Sequence, residues 1–282
     1  MPSPPAGPEL QSGDEFGAYR VQSLLGEGAM GSVYRARRAG DDQDVALKII
    51  KAEFAADEQY RQRFLHEARA AATVQHPHLI GVIDAGEIDG RQFLAMHVAG
   101  GDSLATRIAE NGPLDAAATA RLAVEIGGAL DALHAADVVH RDVKPANILL
   151  RGEDGGAALT DFGLAKGTGY ADLTADGQVV GSLDYLAPER IRGEAAVPAS
   201  DVYALGCVLL ECVLGHPPFG GGGMVKTLFG HLESPPPDPS VERPELSPAF
   251  CAALNAALAK DVDERPASGS GYGSSLADAL AE

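Results

Sequence analysis

The pair Gly100–Gly101 divides two textures, and that division constrains the fold more than any other feature of the sequence. Before it, "YRVQSLLGEGAMGSVYRARR", "DQDVALKII" and "LIGVIDAGEIDGRQFLAMHV" alternate apolar and polar residues around glycine-containing turns, the period-2 signature of hairpin strands. One stretch departs from that pattern. "DEQYRQRFLHEARAAATV", Asp57 to Val74, has helix-forming composition with Phe64, Leu65 and Ala68 on one side. The following "HPHL" ends it, because a residue before proline is driven out of the helical region. After the glycines come long Ala/Leu segments, clearest at Asp115–Ala136, Ala199–Leu214 and Ser247–Lys260, separated by loops such as "GHPPFGGGG" and "SPPPDPS". The sequence therefore predicts an α+β chain, with a small antiparallel-sheet lobe carrying one main helix and a larger helical lobe behind it. It contains no internal repeat.

With 282 residues the chain can bury a sizeable core, as one large domain or as two lobes. Its 40 Asp+Glu against 22 Lys+Arg leave a formal charge of -18, which repels phosphate backbones and anionic lipid and argues against a nucleic-acid partner. Cys207, Cys212 and Cys251 are odd in number and lack metal-ligand spacing, so they read as reduced core thiols of a cytosolic protein. "DVYALGCVLLECVLG" is interrupted by Glu211 and too short for a bilayer; a buried helix is expected there. "MPSPPAGPEL" has neither the basic flank nor the apolar core of a targeting signal, and is expected to fray.

Three clusters carry chemical signals. Gly26, Gly28 and Gly31 with Val33 match G-x-G-x-x-G-x-V, where missing side chains let backbone N–H groups approach phosphate oxygens. Alone this is equally a hairpin turn. A dinucleotide site would need the third glycine to open a helix, whereas "SVYRARR" continues as a strand. Lys48 sits in "VALK", inside an otherwise apolar strand, and a buried ammonium needs an acidic partner or a bound anion. Glu67 on the following helix is available; together with the glycine loop the two make a phosphate clamp. The third cluster is "VVHRDVKPANILL", whose flanking branched residues are expected to form short strands around Asp142, Lys144 and Asn147, while "LTDFGLA" adds Asp161. One carboxylate and one amide beside nucleotide phosphates suit magnesium, a role for Asp161 and Asn147. Asp142 is left to accept the proton of an incoming hydroxyl, and Lys144 to neutralise the moving phosphoryl group.

Taken together these motifs resemble a protein kinase, and the wording of "GEGAMGSVY", "HRDVKPANILL", "GSLDYLAPE" and "SDVYALGCVLLE" resembles the catalytic domain of bacterial eukaryotic-type (Hanks-type) Ser/Thr kinases. The resemblance implies a bilobal fold: a flexible tail over 1–15 and a kinase domain over 16–282, with an N-lobe at 16–96, a hinge at 97–101 and a C-lobe at 102–282. It implies transfer of the γ-phosphate of ATP to protein hydroxyls with Mg2+, or Mn2+ in its place. Gly26, Gly28 and Gly31 would cover the phosphates, with Leu25 beside the nucleotide. Lys48, paired with Glu67, would bind the α- and β-phosphates. Val33, Ala46 and Leu149 would sandwich the adenine, Met96 would stand at the gatekeeper position, and His97–Val98 would form the hinge. Asp142 would be the catalytic base with Lys144 its companion, and Asn147 and Asp161 would hold metal. Glu189 of "APE" would pair with Arg265, and Asp201 would brace the catalytic loop. His97 departs from the acidic residue common at its position; like His76, His78 and His134 it reads as structural or solvent-facing.

The resemblance also bears on control. Arg141 marks the subclass governed by activation-loop phosphorylation. Thr174 is the expected autophosphorylation site in preference to Thr168, and Ser182 is expected to bond toward Asp142 and Lys144. Protein substrates are implied, with no membrane insertion by this chain and room for a homodimer in trans-autophosphorylation. Localisation is expected to be cytoplasmic, including as the kinase portion of a longer, membrane-anchored protein. Two rival readings are a weakly active, pseudokinase-like scaffold and a small-molecule phosphotransferase. Retention of Lys48, Glu67, Asp142, Asn147 and Asp161 weighs against the first, and "GSLDYLAPER" against the second.

Overall fold

Val45, Leu47 and Ile49 are buried while Ala46 and Lys48 face the other side, the alternation that makes β4 (Asp44–Ile50) a strand with one face in a core. The computed structural model describes residues 10–28, 31–40, 42–51, 58–152, 156–161 and 183–281. The chain divides into two compact units, Met1–His76 with Ile80–Ala99, and Pro77–Leu79 with Gly100–Glu282.

In the first unit β1 (Glu15–Phe16), β2 (Tyr19–Gly28), β3 (Gly31–Arg38), β4, β5 (Val82–Ile88) and β6 (Arg91–His97) form one antiparallel sheet in the order β1-β2-β3-β4-β6-β5. Helix α1 (Glu58–Ala72) is its one described helix and buries Phe64 and Ala68. Tyr19, Val21, Tyr34, Ala36, Val45, Leu47 and Phe93 share one apolar cluster, with the Phe93 ring edge-on to Phe16 at 5.9 Å and to Tyr19 at 5.5 Å. Part of the segment expected to be flexible through residue 15 is tied down among the described residues. Gly13 N–H donates to Val21 O and Val21 N–H to Asp14 O, both at 2.9 Å, and Leu10 packs against the cluster.

The second unit holds α2 (Leu104–Asn111), α3 (Ala116–His134), the two-stranded β7 (Ile148–Arg151) and β8 (Gly156–Leu159), α4 (Pro188–Ile191), α5 (Pro198–Leu214), α6 (Met224–Leu232), α7 (Pro239–Glu242), α8 (Pro248–Ala256) and α9 (Gly269–Asp278). Helix α3 starts where Asp115 accepts from Ala118 N–H at 2.7 Å. Helix α5 starts on Pro198 and ends on Gly215 in the left-handed region; it is buried along nearly its whole length, with Cys207 and Cys212 as free thiols. Among the described residues no helix is long and apolar enough to cross a membrane.

Helix α9 is absent from the expectation because "GSGYGSS" is poor helix-forming sequence. Its glycines serve contact instead. A Cβ on Gly269 would stand 2.5 Å from Gly127 O, and one on Gly273 2.7 Å from Val124 Cα, so α9 crosses α3 backbone against backbone. Asp131 of α3 caps α9 from outside, accepting from Gly269 N–H at 2.7 Å and Ser270 N–H at 2.9 Å.

Glu189 and Arg265 join the segments on either side of α5. Their side chains are 2% and 0% exposed, and Arg265 donates to both carboxylate oxygens at 2.9 and 2.7 Å. The remaining needs are met: Ser200 Oγ donates to Glu189 Oε1 at 2.6 Å, and Arg265 also reaches Ala199 O and Ala259 O. Burial pushes the Glu189 carboxyl up, but the bonds from Arg265 and Ser200 outweigh it and hold the group below its ordinary value. Its contribution to stability is therefore present above the ordinary carboxylate range and lost as pH falls through the lowered value. Arg265→Met strands a buried carboxylate and should cost about 3–5 kcal/mol in urea unfolding at neutral pH. A loss under about 1 kcal/mol would contradict this account of the pair.

Candidate active site

Within the first unit the register of the sheet brings most of the expected nucleotide residues onto one face. Gly26 lies opposite Val33, Val33 opposite Lys48, and Ala46 opposite Met96. Directly paired residues point to the same side of a sheet, so these side chains form one surface opposite the apolar cluster. Leu25 falls at a bulge in the β2–β3 ladder and is 53% exposed. Lys48 is half-buried rather than buried, and Glu67 on α1 is half-buried too. Val98 lies past the end of β6 and is exposed, and the division between units falls just after Ala99.

The three glycines are not equivalent. A Cβ at Gly31 would stand 2.2 Å from Ile49 O, so pairing with β4 already demands glycine there. Gly26 has open space where its Cβ would be. Packing gives no reason for a glycine at Gly26; close approach of a ligand to the backbone would. His97 is exposed, with its ring 3.2 Å from the Cβ position of Gly81 and Nδ1 3.5 Å from Gln43 Nε2, in keeping with a structural side chain.

In the second unit the loop from His140 to Asn147 is organised by Asp201, in the first turn of α5. One carboxylate oxygen accepts from His140 N–H at 2.7 Å and from His134 Nε2 at 2.8 Å, and the other accepts from Arg141 N–H at 2.8 Å. These bonds hold Arg141 at φ 66, in the left-handed region disfavoured for a side-chain-bearing residue. His140 is fully buried, accepts from Asp142 N–H on Nδ1 at 3.3 Å and donates from Nε2 to Thr160 O at 3.1 Å. Burial holds its pKa below the ordinary value, against the nearby carboxylates, so the ring is the neutral Nε2–H tautomer those bonds require.

Asp142 is half-buried, with Oδ2 3.0 Å from Lys144 Nζ and 3.0 Å from Asn147 Nδ2. Asn147 Nδ2 also donates to Asp142 O at 2.8 Å. Both donations fix the amide flip and leave Oδ1 as the oxygen that can ligate or accept. Asn147 O accepts from Thr160 N–H at 2.9 Å, which places Asp161, at φ 58, beside the loop. Leu149 is on β7, opposite Ala158. A cavity of about 40 Å³ borders Asp142, Arg141, Arg190 and Ser200.

The expected strand at Val138–Val139 does not form; Val138 N–H bonds instead to Leu133 O at the end of α3, and only the Ile148 side of the loop is a strand. Thr174 and Ser182, with Thr168, lie outside the described residues. The reading from sequence missed Tyr185, whose OH donates to Glu211 Oε2 at 2.6 Å. No local pattern marks a bond between residues 26 positions apart. His134, expected to be structural, is the side-chain donor to Asp201.

A magnesium ion would be matched here by hard oxygen donors, Asn147 Oδ1 and the Asp161 carboxylate. Among the described residues no group of three or more His, Cys, Asp or Glu could hold a metal ion.

The protein kinase domain family matches residues 19–273. The chain is 40% identical over 270 residues to "Serine/threonine-protein kinase PknH" of Mycobacterium bovis, covering 96% of this chain and 45% of that one. It is 40% identical over 257 residues to "Serine/threonine-protein kinase PknE" of Mycobacterium tuberculosis, covering 91% and 45%. The chain thus spans under half the length of these relatives. Among solved structures, the Mycobacterium tuberculosis PknI kinase domain is similar with a TM-score of 0.79 at 30% identity, covering 97% of this chain and 100% of that one.

Asp201→Asn replaces one accepting oxygen by a donor while three N–H groups still converge on the side chain. Leaving such a group unmatched costs about 1–3 kcal/mol. Hydrogen exchange should show the His140 and Arg141 amides losing roughly ten- to a hundredfold of their protection; unchanged protection would show that Asp201 does not hold the loop.

Proposed function

The chain belongs to the protein kinase family, of the bacterial Hanks type, and from that premise we propose that it transfers the γ-phosphate of Mg-ATP to serine and threonine hydroxyls of protein substrates. The observation that carries this reading is the Asp142 carboxylate, held 3.0 Å from both an ammonium and the amide of a candidate metal ligand.

In the proposed step the substrate O–H bond breaks as its oxygen bonds to the γ-phosphorus, the bond from that phosphorus to the β–γ bridging oxygen breaks, and ADP leaves. Asp142 orients the hydroxyl and takes its proton. Lys144 bears on the charge of the transferring group, and its contact with Asp142 holds the two side chains together. Lys48 binds the α- and β-phosphates, with Glu67 as the acid that orients its ammonium. The Gly26–Gly31 backbone covers the phosphates, while Leu25, Val33, Ala46, Met96, Val98 and Leu149 receive the adenine. Asn147 and Asp161 would hold magnesium, which would neutralise phosphate charge. Thr174 accepts the regulatory phosphate and Arg141 pairs with it, while Ser182 bonds toward Asp142 and Lys144.

Asp142→Asn keeps the carbonyl contact but cannot take a proton. Turnover should fall roughly 10²- to 10⁴-fold while calorimetry still shows ATP binding; near-parental turnover rejects the assignment. Lys48→Met should weaken nucleotide affinity or turnover with the thermal midpoint unchanged, and parental values of both would remove Lys48 from the site. After incubation with ATP, mass spectrometry should find phosphate chiefly on Thr174 and Thr174→Ala should lose that signal; phosphate chiefly on Thr168 or Ser182 reverses the assigned roles.

A further inference from the structure

Among the described residues strand β8 pairs with a strand along one edge, and its other edge is met by two side chains and by the backbone at His78–Leu79. In the antiparallel β7–β8 pair, Ala158 turns its backbone groups toward β7 and Thr160, just past β8, turns its N–H to Asn147 O, leaving the backbone groups of Ala157 and the N–H of Leu159 directed away. Ala157 is fully buried, so both its backbone groups need partners. Glu125, on α3, accepts from Ala157 N–H at 2.7 Å. His78 donates from Nδ1 to Ala157 O at 2.8 Å, and its own carbonyl accepts from Leu159 N–H at 2.9 Å. Leu79 bridges Leu159 in parallel, and Arg151 bonds to Pro77 O. The Glu125 carboxylate and His78 ring stand 3.9 Å apart, with their side chains 15% and 25% exposed. One residue of β8, Ala157, is thus clamped by an acid at its N–H and by an imidazole at its carbonyl.

The clamp lies four residues before Asp161, and little else separates them. Leu159 is stitched to His78, Thr160 is held through N–H by Asn147 O and through its carbonyl by His140, and Asp161 follows in the left-handed region at φ 58. A residue held in that conformation depends on its flanks being fixed. Sideways movement of β8 would carry the Asp161 carboxylate with it.

We propose that Glu125 and His78 are positioning residues for Asp161, setting the metal-binding carboxylate through the backbone N–H and carbonyl of Ala157. The proposal rests on the reading of Asp161 as a metal ligand. Neither side chain touches substrate or metal; both act through β8. Supporting groups of this kind typically change metal affinity by about 10- to 100-fold when removed.

Mn2+ binding, followed by electron paramagnetic resonance with a non-hydrolysable ATP analogue present, tests this apart from turnover. Glu125→Ala should weaken Mn2+ binding about tenfold and expose the Ala157 amide to exchange. Glu125→Gln, whose amide oxygen can accept the same N–H, should restore both. A purely structural role predicts a lower melting temperature with parental Mn2+ affinity, and that result in Glu125→Ala overturns the proposal. If Glu125→Ala does not fold, His78→Ala is read in its place; it removes the bond to Ala157 O, and parental Mn2+ affinity in it overturns the proposal equally. Asp161→Ala is the reference. Parental Mn2+ binding there rejects Asp161 as a ligand and the clamp's purpose with it, whereas loss there with parental binding in Glu125→Ala rejects the clamp alone.

Discussion

The second unit's chemistry depends on one carboxylate that performs none of it. Asp201 gathers the N–H groups of His140 and Arg141 and the imidazole of His134 onto two oxygens. It is 1% exposed, so those three donors replace the water it gave up on folding. Because it projects from the first turn of a helix buried along nearly its whole length, the loop is referenced to the packed core of the unit. The order passes outward through His140 to Asp142 and Thr160, and through Asn147 to the residue before Asp161.

Buried ionic groups elsewhere follow the same rule. Arg265 is fully enclosed yet meets two carboxylate oxygens and backbone carbonyls, with its guanidinium 4.8 Å from the Tyr203 ring centroid. In a chain of net charge -18 such cations are in the minority, and Arg265 is committed to internal pairing. Glu211 shows the contrasting case. With a phenol as its hydrogen-bond partner, its carboxyl is pushed up by burial despite the Tyr185 bond. The same acid type is lowered at Glu189, which accepts from Arg265 and Ser200, and raised at Glu211, which accepts from a phenol with Asp184 nearby.

Much of this was legible in sequence because it depends on local periodicity or on short spacing. The strand alternation around Lys48, the α1 segment, the buried helix from Pro198 and the grouping of Asp142, Lys144 and Asn147 involve residues near in the chain, and backbone geometry carries that spacing into space. Helix α9 resisted the same reading because its glycines answer to the backbone of α3. Val138–Val139 looked like a strand by composition, yet the end of α3 claimed Val138 N–H first.

The sequence by itself determined which residue types are available and the sheet-to-helix change at Gly100–Gly101. Through motif spacing it also determined where phosphate, metal and proton chemistry can be sought. Only the tertiary structure decided how those residues are held. Asp201 reaches His140 across 61 positions, Arg265 reaches Glu189 across 76, and Glu125 reaches Ala157 across 32. Each of these bonds exists because a buried polar group must find a partner within about 3 Å, and the nearest available partner is set by packing, not by separation along the chain.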